Sequence, residues 1–366
     1  MMDKNFIQIH RAMDRAVAES VFPGAVLAWG IGPNLLFHRA YGRTDETCGE
    51  TVSPHTIFDL ASLTKPLATA LALAVLVQKG QISLYTSLGE ILPEARGMDK
   101  SEITLDMLLR HTSGLPAHRE YFKRMPSSEP RSALRQMILA ESLETAPGKK
   151  EIYSDLGYML LAWVVEAISG RRLDHFVRDF IYAPLGLSGL FFVPAEAPRP
   201  DRDSVAATSH CPWRGRLIKG EVEDENAWAA GGVEGHAGLF GDGVSVYRIC
   251  NEILAAVTGE ETKVLDSKVI RSFVRQIPGM KRMAGFDTPS KENSSAGCFF
   301  SNRALGHLGF TGTSFWLDPE TGLIVVLLTN RVHPTRENWK IRKFRPLIHD
   351  LIHHWVSSES NVNKPV

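Results

Sequence analysis

Strand-forming segments at both ends of this 366-residue chain enclose a long helical block, and this order most constrains its fold. Near the N-terminus, residues 25–29 and 35–41 flank a Gly-Pro-Asn turn, which predicts a β-hairpin. Near the C-terminus, residues 312–317 and 323–330 flank a turn ending in Gly322, where glycine fits a positive φ. Strands joined by such tight turns pair antiparallel. We therefore predict that both chain ends contribute to one largely antiparallel sheet.

The middle of the chain has mostly helical patterns. Residues 63–79 and residues 155–169 are each apolar at helical spacing and closed by a glycine. The chain is also too long for one ordinary core. We predict an α/β (α+β) fold in which a sheet covered by helices forms an α/β lobe (residues 1–60 and 228–366) and carries an inserted helical lobe (residues 61–227). A cleft between two such lobes is a common place for a small-molecule site.

Composition and charge narrow the class of protein. Hydrophobic residues make up 44% of the sequence and charged residues 22%, close to the globular average, which argues against disorder. Lysine plus arginine number 41, as do aspartate plus glutamate. This balance argues against a nucleic-acid partner, which needs a basic face, and against a polybasic membrane anchor. We expect a globular protein that acts on a small molecule.

The four cysteines, Cys48, Cys211, Cys250 and Cys298, lie far apart and show no metal-ligand spacing. This pattern favours reduced thiols in an intracellular protein. The N-terminal segment has apolar residues at helical spacing but is interrupted by charges, which predicts an amphipathic helix rather than a signal peptide. The longest apolar stretch, residues 66–77, is too short to span a bilayer. We therefore expect a cytoplasmic protein.

The sharpest signal for chemistry is Ser62 and Lys65 at the start of the predicted 63–79 helix. Residues three apart lie on one helix face, so the lysine can accept the serine proton if its surroundings make the amine neutral. The helix N-terminus adds N–H groups near a developing oxyanion. Taken alone, such a pair is more often an N-cap serine beside a solvated lysine.

Two further motifs change that interpretation. Tyr153 and Asp155 stand at the entry of a predicted helix, and a tyrosine near cations can relay protons. His307 and Gly309 immediately precede the C-terminal hairpin, where a glycine lets a substrate approach the backbone and exposes an N–H to an oxyanion. Each motif also has a structural explanation, namely a helix entry with a cap and a bulge or bend.

Together these motifs resemble those of the serine β-lactamase and penicillin-binding-protein superfamily, specifically its class C-like esterase and D-peptidase branch. That branch carries SxxK, YxN, and then KTG or HxG, and this chain carries SLTK, YSD and HLG in the same order. The stretches FDLASLTKPLAT, LLRHTSGLP, PGKKEIYSDLGYMLLAWVVEAISG, PLGL and GGVEGHAGLF also look like the family. The resemblance covers residues 20–352, nearly the whole chain.

The resemblance implies roles for these residues. Ser62 would be the acylated nucleophile, Lys65 its hydrogen-bonded partner, and Tyr153 the shuttle that carries the proton to the leaving group. The backbone N–H groups of Ser62 and Phe310 would form the oxyanion hole, and His307 is the fourth catalytic candidate. Either Lys65 or Tyr153 could be the base, and the two should titrate as a coupled pair. The resemblance implies no cofactor and no metal.

The chain departs from the family pattern at two positions that bear on substrate. Asp155 stands where asparagine is usual, and a carboxylate only accepts hydrogen bonds and favours a protonated Lys65. His307 stands where lysine is usual in β-lactamases and carboxypeptidases, and a neutral imidazole anchors a carboxylate less well than an ammonium does. Both changes favour an ester or small amide that lacks an anionic group next to the scissile bond.

Other polar residues are weaker candidates. Asn226 and His236 lie in segments that could border the cleft and, with Asp155 and Gly309, are candidates for substrate contact. His349 and His353 are spaced i, i+4 on the last predicted helix, which suits a metal. No third ligand lies at a matching distance, so we expect a solvated helix face there. His111, after a short helix, is expected to make capping hydrogen bonds.

Three functions fit these observations. The first is a serine hydrolase that acts through an acyl-enzyme on Ser62, with an ester or small-amide substrate. The second is a β-lactamase or a D,D- or D-amino peptidase, which Asp155 and His307 disfavour. The third is a catalytically lapsed acyl-binding or sensor protein, which the intact set of Ser62, Lys65 and Tyr153 disfavours. The sequence predicts no particular oligomeric state.

Overall fold

A computed structural model describes residues 4–46, 49–126 and 128–362. The α-helices are α1 (Lys4–Ala18), α2 (Leu71–Gln78), α3 (Leu88–Ile91), α4 (Leu105–Leu109), α5 (Pro130–Ala140), α6 (Asp155–Ser169), α7 (Leu173–Val177), α8 (Glu225–Ala229), α9 (Gly243–Thr258), α10 (Ser267–Phe273) and α11 (Ile341–Val362). The strands are β1 (Gly24–Ile31), β2 (Asn34–Gly42), β3 (Phe58–Asp59), β4 (Leu190–Phe192), β5 (His210–Cys211), β6 (Arg216–Leu217), β7 (Leu239–Gly241), β8 (Leu305–Leu308), β9 (Ser314–Leu317) and β10 (Leu323–Thr329). Short 3₁₀ segments are Ala61–Leu63, Pro93–Ala95, Tyr121–Lys123 and Arg202–Ser204, and π-helical segments are Lys65–Ala70 and Arg178–Tyr182.

The main sheet joins the two ends of the chain, as the sequence predicts. Its strand order is β2-β1-β10-β9-β8, and every neighbouring pair is antiparallel. The central pairing runs from Ala25 opposite Thr329 to Ile31 opposite Leu323. Gly322 has a φ of +74°, so the predicted role of glycine in the β9–β10 turn is confirmed.

Successive side chains of the central strands point to opposite faces of the sheet, and both sets are apolar, which explains why helices cover both faces. On β1, the side chains of Leu27 and Trp29 pack with α1 and α11, whereas Val26 and Ala28 face the core that contains α9. Because all four are buried, the strand is apolar on both faces. A sheet of this kind needs a helical layer on each side, and the chain supplies α1 and α11 on one face and α9 on the other.

A small sheet, with strand order β3-β7-β4, lies beside the main one. The sequence did not predict it, since β3 is two residues long and β4 and β7 are three residues each. This small sheet matters for the site because its strand β3 ends at Asp59, three residues before Ser62. The division into lobes at residues 60 and 228 stays a prediction, although all five strands of the main sheet lie within the two outer segments.

The predicted 63–79 helix exists, but its first part is irregular. The chain forms a 3₁₀ turn at Ala61–Leu63, a π-helix over Lys65–Ala70 and then α2. In the described ranges, one helical stretch, Ala61–Gln78, has the length and apolar composition of a membrane-crossing helix, and 83% of it is buried inside the protein. This stretch therefore packs as the central helix of the large core.

Other local predictions can be compared directly with the structure. The helix predicted over residues 155–169 is confirmed as α6 and ends at Gly170, and Thr104 caps α4 by accepting a hydrogen bond from the Met107 N–H. Cys211 and Cys250 are buried free thiols, and Cys298 is an exposed one. The fourth cysteine, Cys48, lies outside the described residues.

Candidate active site

A cavity of about 850 Å³ opens beside the start of the Ser62 helix. Most of the predicted site residues line it, namely Ser62, Tyr153, Asp155, His236, His307, Gly309 and Phe310. Lys65 is fully buried behind this wall and reaches Ser62 from within the protein. The structure therefore brings the three separate sequence motifs together at one cavity.

The backbone that leads into Ser62 is held in an unusual conformation. Ala61 has a φ of +47°, in the left-handed region that favours glycine, so this residue is strained. The Ala61 N–H donates to Asp59 Oδ1 at 2.8 Å, and Thr64 Oγ1 donates to the Ala61 carbonyl at 2.6 Å. These contacts fix the turn and leave Ser62 partly exposed at the cavity wall.

Lys65 uses all three of its ammonium hydrogens at this site. Its Nζ donates to Ser62 Oγ at 3.0 Å, to Asp155 Oδ1 at 2.8 Å and to the His236 carbonyl at 3.2 Å. Burial alone lowers the pKa of Lys65, but the charge of Asp155 and the neighbouring Tyr153 outweigh it and raise the pKa above the ordinary value. Lys65 is therefore an ammonium at neutral pH in the free protein.

Asp155 is the counter-ion of that ammonium. Burial alone raises the pKa of Asp155, but Lys65 and a hydrogen bond from His118 outweigh it and lower the pKa well below the usual range. The second carboxylate oxygen lies 3.5 Å from His118 Nδ1. The expectation that an aspartate at this position favours a protonated Lys65 agrees with both pKa shifts.

Tyr153 is surrounded by cations and rings. Its ring centroid lies 4.9 Å from Lys65 Nζ, 5.3 Å from the Arg282 guanidinium carbon and 4.4 Å from the His111 ring. Burial raises the pKa of Tyr153 more than Lys65 and the hydrogen bond with Ser62 lower it, so the net pKa is raised. At rest, then, neither Lys65 nor Tyr153 is in its basic form.

His307 lies on β8 and faces the same cavity. Its Nδ1 is 2.9 Å from the Leu308 carbonyl, which makes Nδ1 the protonated nitrogen of the neutral ring. Burial, and to a smaller extent Lys65, lower the pKa of His307 to about 4. The imidazole is therefore neutral at pH 7, as expected from the sequence, and supplies no positive charge beside Tyr153.

The turn after β8 is fastened to the residues that precede Ser62. The Thr311 hydroxyl donates to the Asp59 carbonyl at 2.7 Å, and the Thr313 hydroxyl donates to the Leu60 carbonyl at 3.0 Å. A Cβ on Gly309 would lie 2.7 Å from the Leu60 carbonyl oxygen, so this close approach requires glycine. The turn thus holds the Phe310 backbone at the cavity wall that carries Ser62.

Comparisons with known proteins identify this arrangement. The family described as Beta-lactamase matches residues 9–345, nearly the whole chain. The chain belongs to the Beta-lactamase family. A Salmonella agona protein named "Putative D-alanyl-D-alanine carboxypeptidase" is 32% identical, with the match covering 84% of this chain and 78% of that protein. This chain is therefore a serine hydrolase of the Beta-lactamase family.

Solved structures share the fold of this Beta-lactamase-family hydrolase. EstCE1, described as a hydrolase with promiscuous acyltransferase activity, has a TM-score of 0.71 at 20% identity, covering 93% of this chain and 98% of that one. The octameric penicillin-binding protein homologue from Pyrococcus abyssi has a TM-score of 0.74 at 19% identity, covering 95% of this chain and 77% of that one. At such identities the likeness shows the fold, and it agrees with the predicted antiparallel sheet covered by helices.

One predicted substrate contact of this hydrolase is wrong. Asn226 is fully buried and does not line the cavity. Its amide Nδ2 donates to the Arg119 carbonyl at 2.8 Å, and its Oδ1 accepts from the Phe122 N–H at 2.9 Å. Two residues earlier, Asp224 caps α8 by accepting a hydrogen bond from the Ala227 N–H. Asn226 therefore anchors the 119–122 loop and does not contact substrate.

His236 does line the cavity of the hydrolase, by contrast. Its Nε2 lies 2.9 Å from Asp224 Oδ1, and its carbonyl accepts a hydrogen bond from Lys65. Its Nδ1 is buried and has no partner in the described parts of the chain. His236 thus holds both Lys65 and Asp224 in place from the cavity wall.

Of the remaining histidine predictions, the one for His111 agrees with the structure and the one for His349 and His353 does not. His111 accepts a hydrogen bond from the Ser154 N–H at 2.9 Å, as expected of a residue that ties down a turn, and it also packs on the Tyr153 ring. The solvated face predicted for His349 and His353 is wrong, because both are buried against Phe300. Among the residues described, no three His, Cys, Asp or Glu side chains cluster as a metal site would need.

Several residues of the site carried no sequence signal. Asp59, His118 and Arg282 lie in a two-residue strand or in loops. Each contacts a residue far along the chain, namely Glu223, Asp155 and Tyr153 respectively. Arg282 is itself held by Glu151 and by Asp287, the latter at 2.7 Å. Such contacts depend on long-range packing, and no local pattern marks them in advance.

Proposed function

We propose that this protein hydrolyses an ester or small amide through an acyl-enzyme formed on Ser62. Lys65 and Tyr153 share the proton of the Ser62 hydroxyl, and the N–H groups of Ser62 and Phe310 bind the oxyanion. The observation that carries the proposal is the contact of 3.0 Å between the buried Lys65 Nζ and Ser62 Oγ, at the wall of a cavity that Tyr153 also lines.

The resting charges limit how the Ser62 proton can leave. Lys65 is charged and Tyr153 is neutral, so a basic form must first be produced. A proton shift from Lys65 Nζ to Asp155 Oδ1, over 2.8 Å, gives a free amine without changing the net charge of the pair. Transfer of the Tyr153 proton to solvent in the cavity, favoured by the nearby Lys65, gives a phenolate instead. Both routes involve the same coupled set of residues.

The neutral His307 supports a substrate without an anion next to the scissile bond. A lysine there would supply a fixed charge, whereas this imidazole has a pKa of about 4 because of burial. An ester is also easier to cleave than an amide, because its leaving group is better. We therefore propose ester hydrolysis as the main activity.

Two measurements test this function. Hydrolysis of p-nitrophenyl butyrate should be readily detected, and a fluorophosphonate probe should label the wild-type protein but not Ser62→Ala. The two results together also exclude a lapsed binding protein, which would show neither. Absence of both turnover and labelling in correctly folded protein would overturn the proposal.

A second candidate is a peptidase for substrates with D-amino acids. It is supported by the Salmonella agona relative at 32% identity, whose name gives D-alanyl-D-alanine carboxypeptidase activity to that protein. Release of D-alanine from a peptide ending in D-alanyl-D-alanine, measured beside p-nitrophenyl butyrate at equal enzyme concentration, decides between the two. A larger kcat/KM for the peptide would favour the second candidate.

A further inference from the structure

The end of the cavity that lies against α11 is rich in arginine. Arg331, from the loop after β10, and Arg342 and Arg345, from α11, line the cavity there. The rings of Phe310 and Trp339 stand beside them, each 42% exposed. Arg331 and Arg345 are buried in the wall, with 3% and 6% of their surface exposed. This end of the cavity thus combines cations with accessible aromatic surface.

The two buried arginines bind carbonyl groups and not carboxylates. Arg331 donates to the Phe310 carbonyl and to two carbonyls of the 336–338 loop. Arg345 donates to the Thr313 carbonyl at 3.0 Å, and its Nε is buried without a partner in the described residues. Within ranges 4–46, 49–126 and 128–362, neither forms an ion pair. Their charges are therefore not neutralised by direct contact.

The acidic residues of this wall already have partners. Glu223 and Glu225 each lie 2.7 Å from a nitrogen of Arg336, and Asp224 binds His236. The charges of Glu223 and Glu337 act on Arg331 only from beyond ion-pair distance. The cationic end is thus separated from the acids that could have neutralised it.

Arg331 and Arg345 remain charged despite their burial. Burial and the neighbouring Arg342 lower the pKa of Arg331 to about 10, and burial and Arg331 lower the pKa of Arg345 to about 9. Both values lie above neutral pH. A buried cation without a counter-ion is destabilising, and an anion that enters the cavity removes that cost.

The arginines are also connected to the catalytic turn. Arg331 donates to the carbonyl of Phe310, whose N–H is the proposed oxyanion donor, and Arg345 donates to Thr313 in the same turn. The Arg331 guanidinium lies 4.8 Å from the Phe310 ring centroid and 4.4 Å from that of Trp339. A ligand held by these guanidinium groups would therefore share the cavity with Ser62.

We propose that Arg331, Arg342 and Arg345 bind an anionic group of the substrate, a carboxylate or a phosphate. Guanidinium groups present paired N–H donors that match the oxygens of either anion. The inference rests on the proposed function, because it assigns a charged group to the ester or amide cleaved at Ser62. Charge recognition then lies at α11 and not at the neutral His307 on β8.

Matched esters test this inference on both sides of the scissile bond. One pair compares mono-p-nitrophenyl glutarate with p-nitrophenyl butyrate, and the other compares 4-carboxyphenyl butyrate with phenyl butyrate. The wild type should prefer the charged member of at least one pair by about tenfold or more in kcat/KM, the size expected for a charge-assisted contact. Inhibition by glutarate and by n-butyl phosphate, with n-butanol as the neutral control, then distinguishes carboxylate from phosphate.

Variants identify the residues responsible. Arg331→Met and Arg345→Met should remove most of that preference, measured as the ratio of kcat/KM for the charged ester over the neutral ester within each variant, so that any general loss of activity cancels. Arg345→Lys, which keeps the charge, should retain part of the preference, and Arg39→Met, a change at an exposed arginine on β2, should retain all of it. Thermal melting confirms which variants fold.

The two proposals fail in different ways. No preference in the wild type for either charged ester, or an unchanged preference in folded Arg331→Met and Arg345→Met, would overturn the anion site while leaving ester hydrolysis intact. Calorimetry of Ser62→Ala with glutarate and with n-butyl phosphate measures the site without turnover. Binding that is lost in the Ser62→Ala/Arg345→Met protein supports the anion site even if no ester is hydrolysed.

Discussion

The two ends of the cavity differ in how their charges are balanced. Around Ser62, Lys65 is paired with Asp155 at 2.8 Å, and Arg282 is paired with Asp287 at 2.7 Å. Near α11, the donors of the buried Arg345 reach one backbone carbonyl and no carboxylate in the described chain. Lys65 and Arg345 are both buried, so burial alone does not explain the contrast.

The paired charges suit the reaction, and the unpaired charges suit recognition of a ligand. Paired charges hold catalytic groups in fixed positions and need no ligand to be stable, so the Ser62 end is preorganised for proton transfer. Unpaired buried charges are stabilised only when a complementary ligand arrives, so the α11 end suits selection of substrate. The following predictions test the division, beginning with the largest expected effect.

The largest effect should come from Ser62→Ala. Removal of the nucleophile should lower kcat for p-nitrophenyl butyrate by about a thousandfold or more, as for other covalent catalysts. Steady-state kinetics with p-nitrophenyl butyrate measure the loss, and an unchanged melting temperature shows that the variant is folded. A residual kcat within tenfold of wild type would place the nucleophile elsewhere.

Tyr153→Phe should have the next largest effect. The hydroxyl is needed to relay a proton in the transition state, so kcat should fall by about a hundredfold while KM changes little. The ring is kept, so its packing on His111 is retained. Steady-state kinetics on an unactivated ester, whose leaving group needs the proton, give the clearest measurement. A near wild-type kcat there would make Tyr153 purely structural.

His307→Lys should alter charge preference at the catalytic end. An ammonium on β8 adds a fixed charge where the present imidazole is neutral, so the ratio of kcat/KM for nitrocefin over p-nitrophenyl butyrate should rise about tenfold. The pH profile of both substrates must be measured, because the new charge also lowers the pKa of Tyr153. If the ratio stays constant across that profile, β8 does not set charge preference.

Asp155→Asn should move the pH dependence. Asp155 raises the pKa of Lys65, so its removal lowers that pKa and makes the free amine available at lower pH. In a plot of kcat/KM against pH, the limb on which activity rises with pH should shift by about one pH unit or more towards lower pH. The conservative control is Asp155→Glu, which keeps the charge and should move the limb less. A limb that stays in place in Asp155→Asn would show that Lys65 does not control it.

The same variant should change stability at acid pH. The folded-state pKa of Asp155 lies below its ordinary value, so the carboxylate contributes stability above about pH 4 that is lost as pH falls. Asp155→Asn should therefore lose less stability than wild type between pH 6 and pH 3 in urea denaturation. An equal loss in both proteins would contradict the ion pair seen with Lys65.

The smallest effect is expected from metal removal. Because the proposed chemistry uses only side chains and backbone N–H groups, EDTA should leave kcat for p-nitrophenyl butyrate unchanged within error. Dialysis against EDTA followed by assay, with and without added zinc, provides the measurement. Activity lost in EDTA and restored by zinc would return attention to His349 and His353.

Local patterns predicted much of this molecule, because turns and caps act over a few residues. The β9–β10 turn at Gly322 and the helix from Asp155 to Ser169 are examples. The short motifs and their family resemblance also singled out Ser62, Lys65 and Tyr153, which the structure brings together at one cavity, while their catalytic roles stay a prediction. These features share a short sequence separation between cause and effect.

Long-range contacts explain what the sequence did not predict. Asp59 accepts a hydrogen bond from the Glu223 N–H, 164 residues along the chain, and Arg345 enters the cavity from a helix that otherwise covers the sheet. The pair His349 and His353 was misjudged because helical spacing does not reveal that the 295–300 segment buries this face of α11. Asn226 was misjudged because its loop partners lie about a hundred residues away along the chain.

We expect Ser62, held by Lys65 beside Tyr153, to become covalently acylated during turnover. Intact-mass spectrometry after rapid acid quenching of the wild type with p-nitrophenyl butyrate, followed by peptide mapping, measures this directly. We predict one butyryl adduct per chain, located on the peptide that contains Ser62 and absent from Ser62→Ala. An adduct of equal yield on Ser62→Ala, or one mapped to another residue while turnover proceeds, would contradict it.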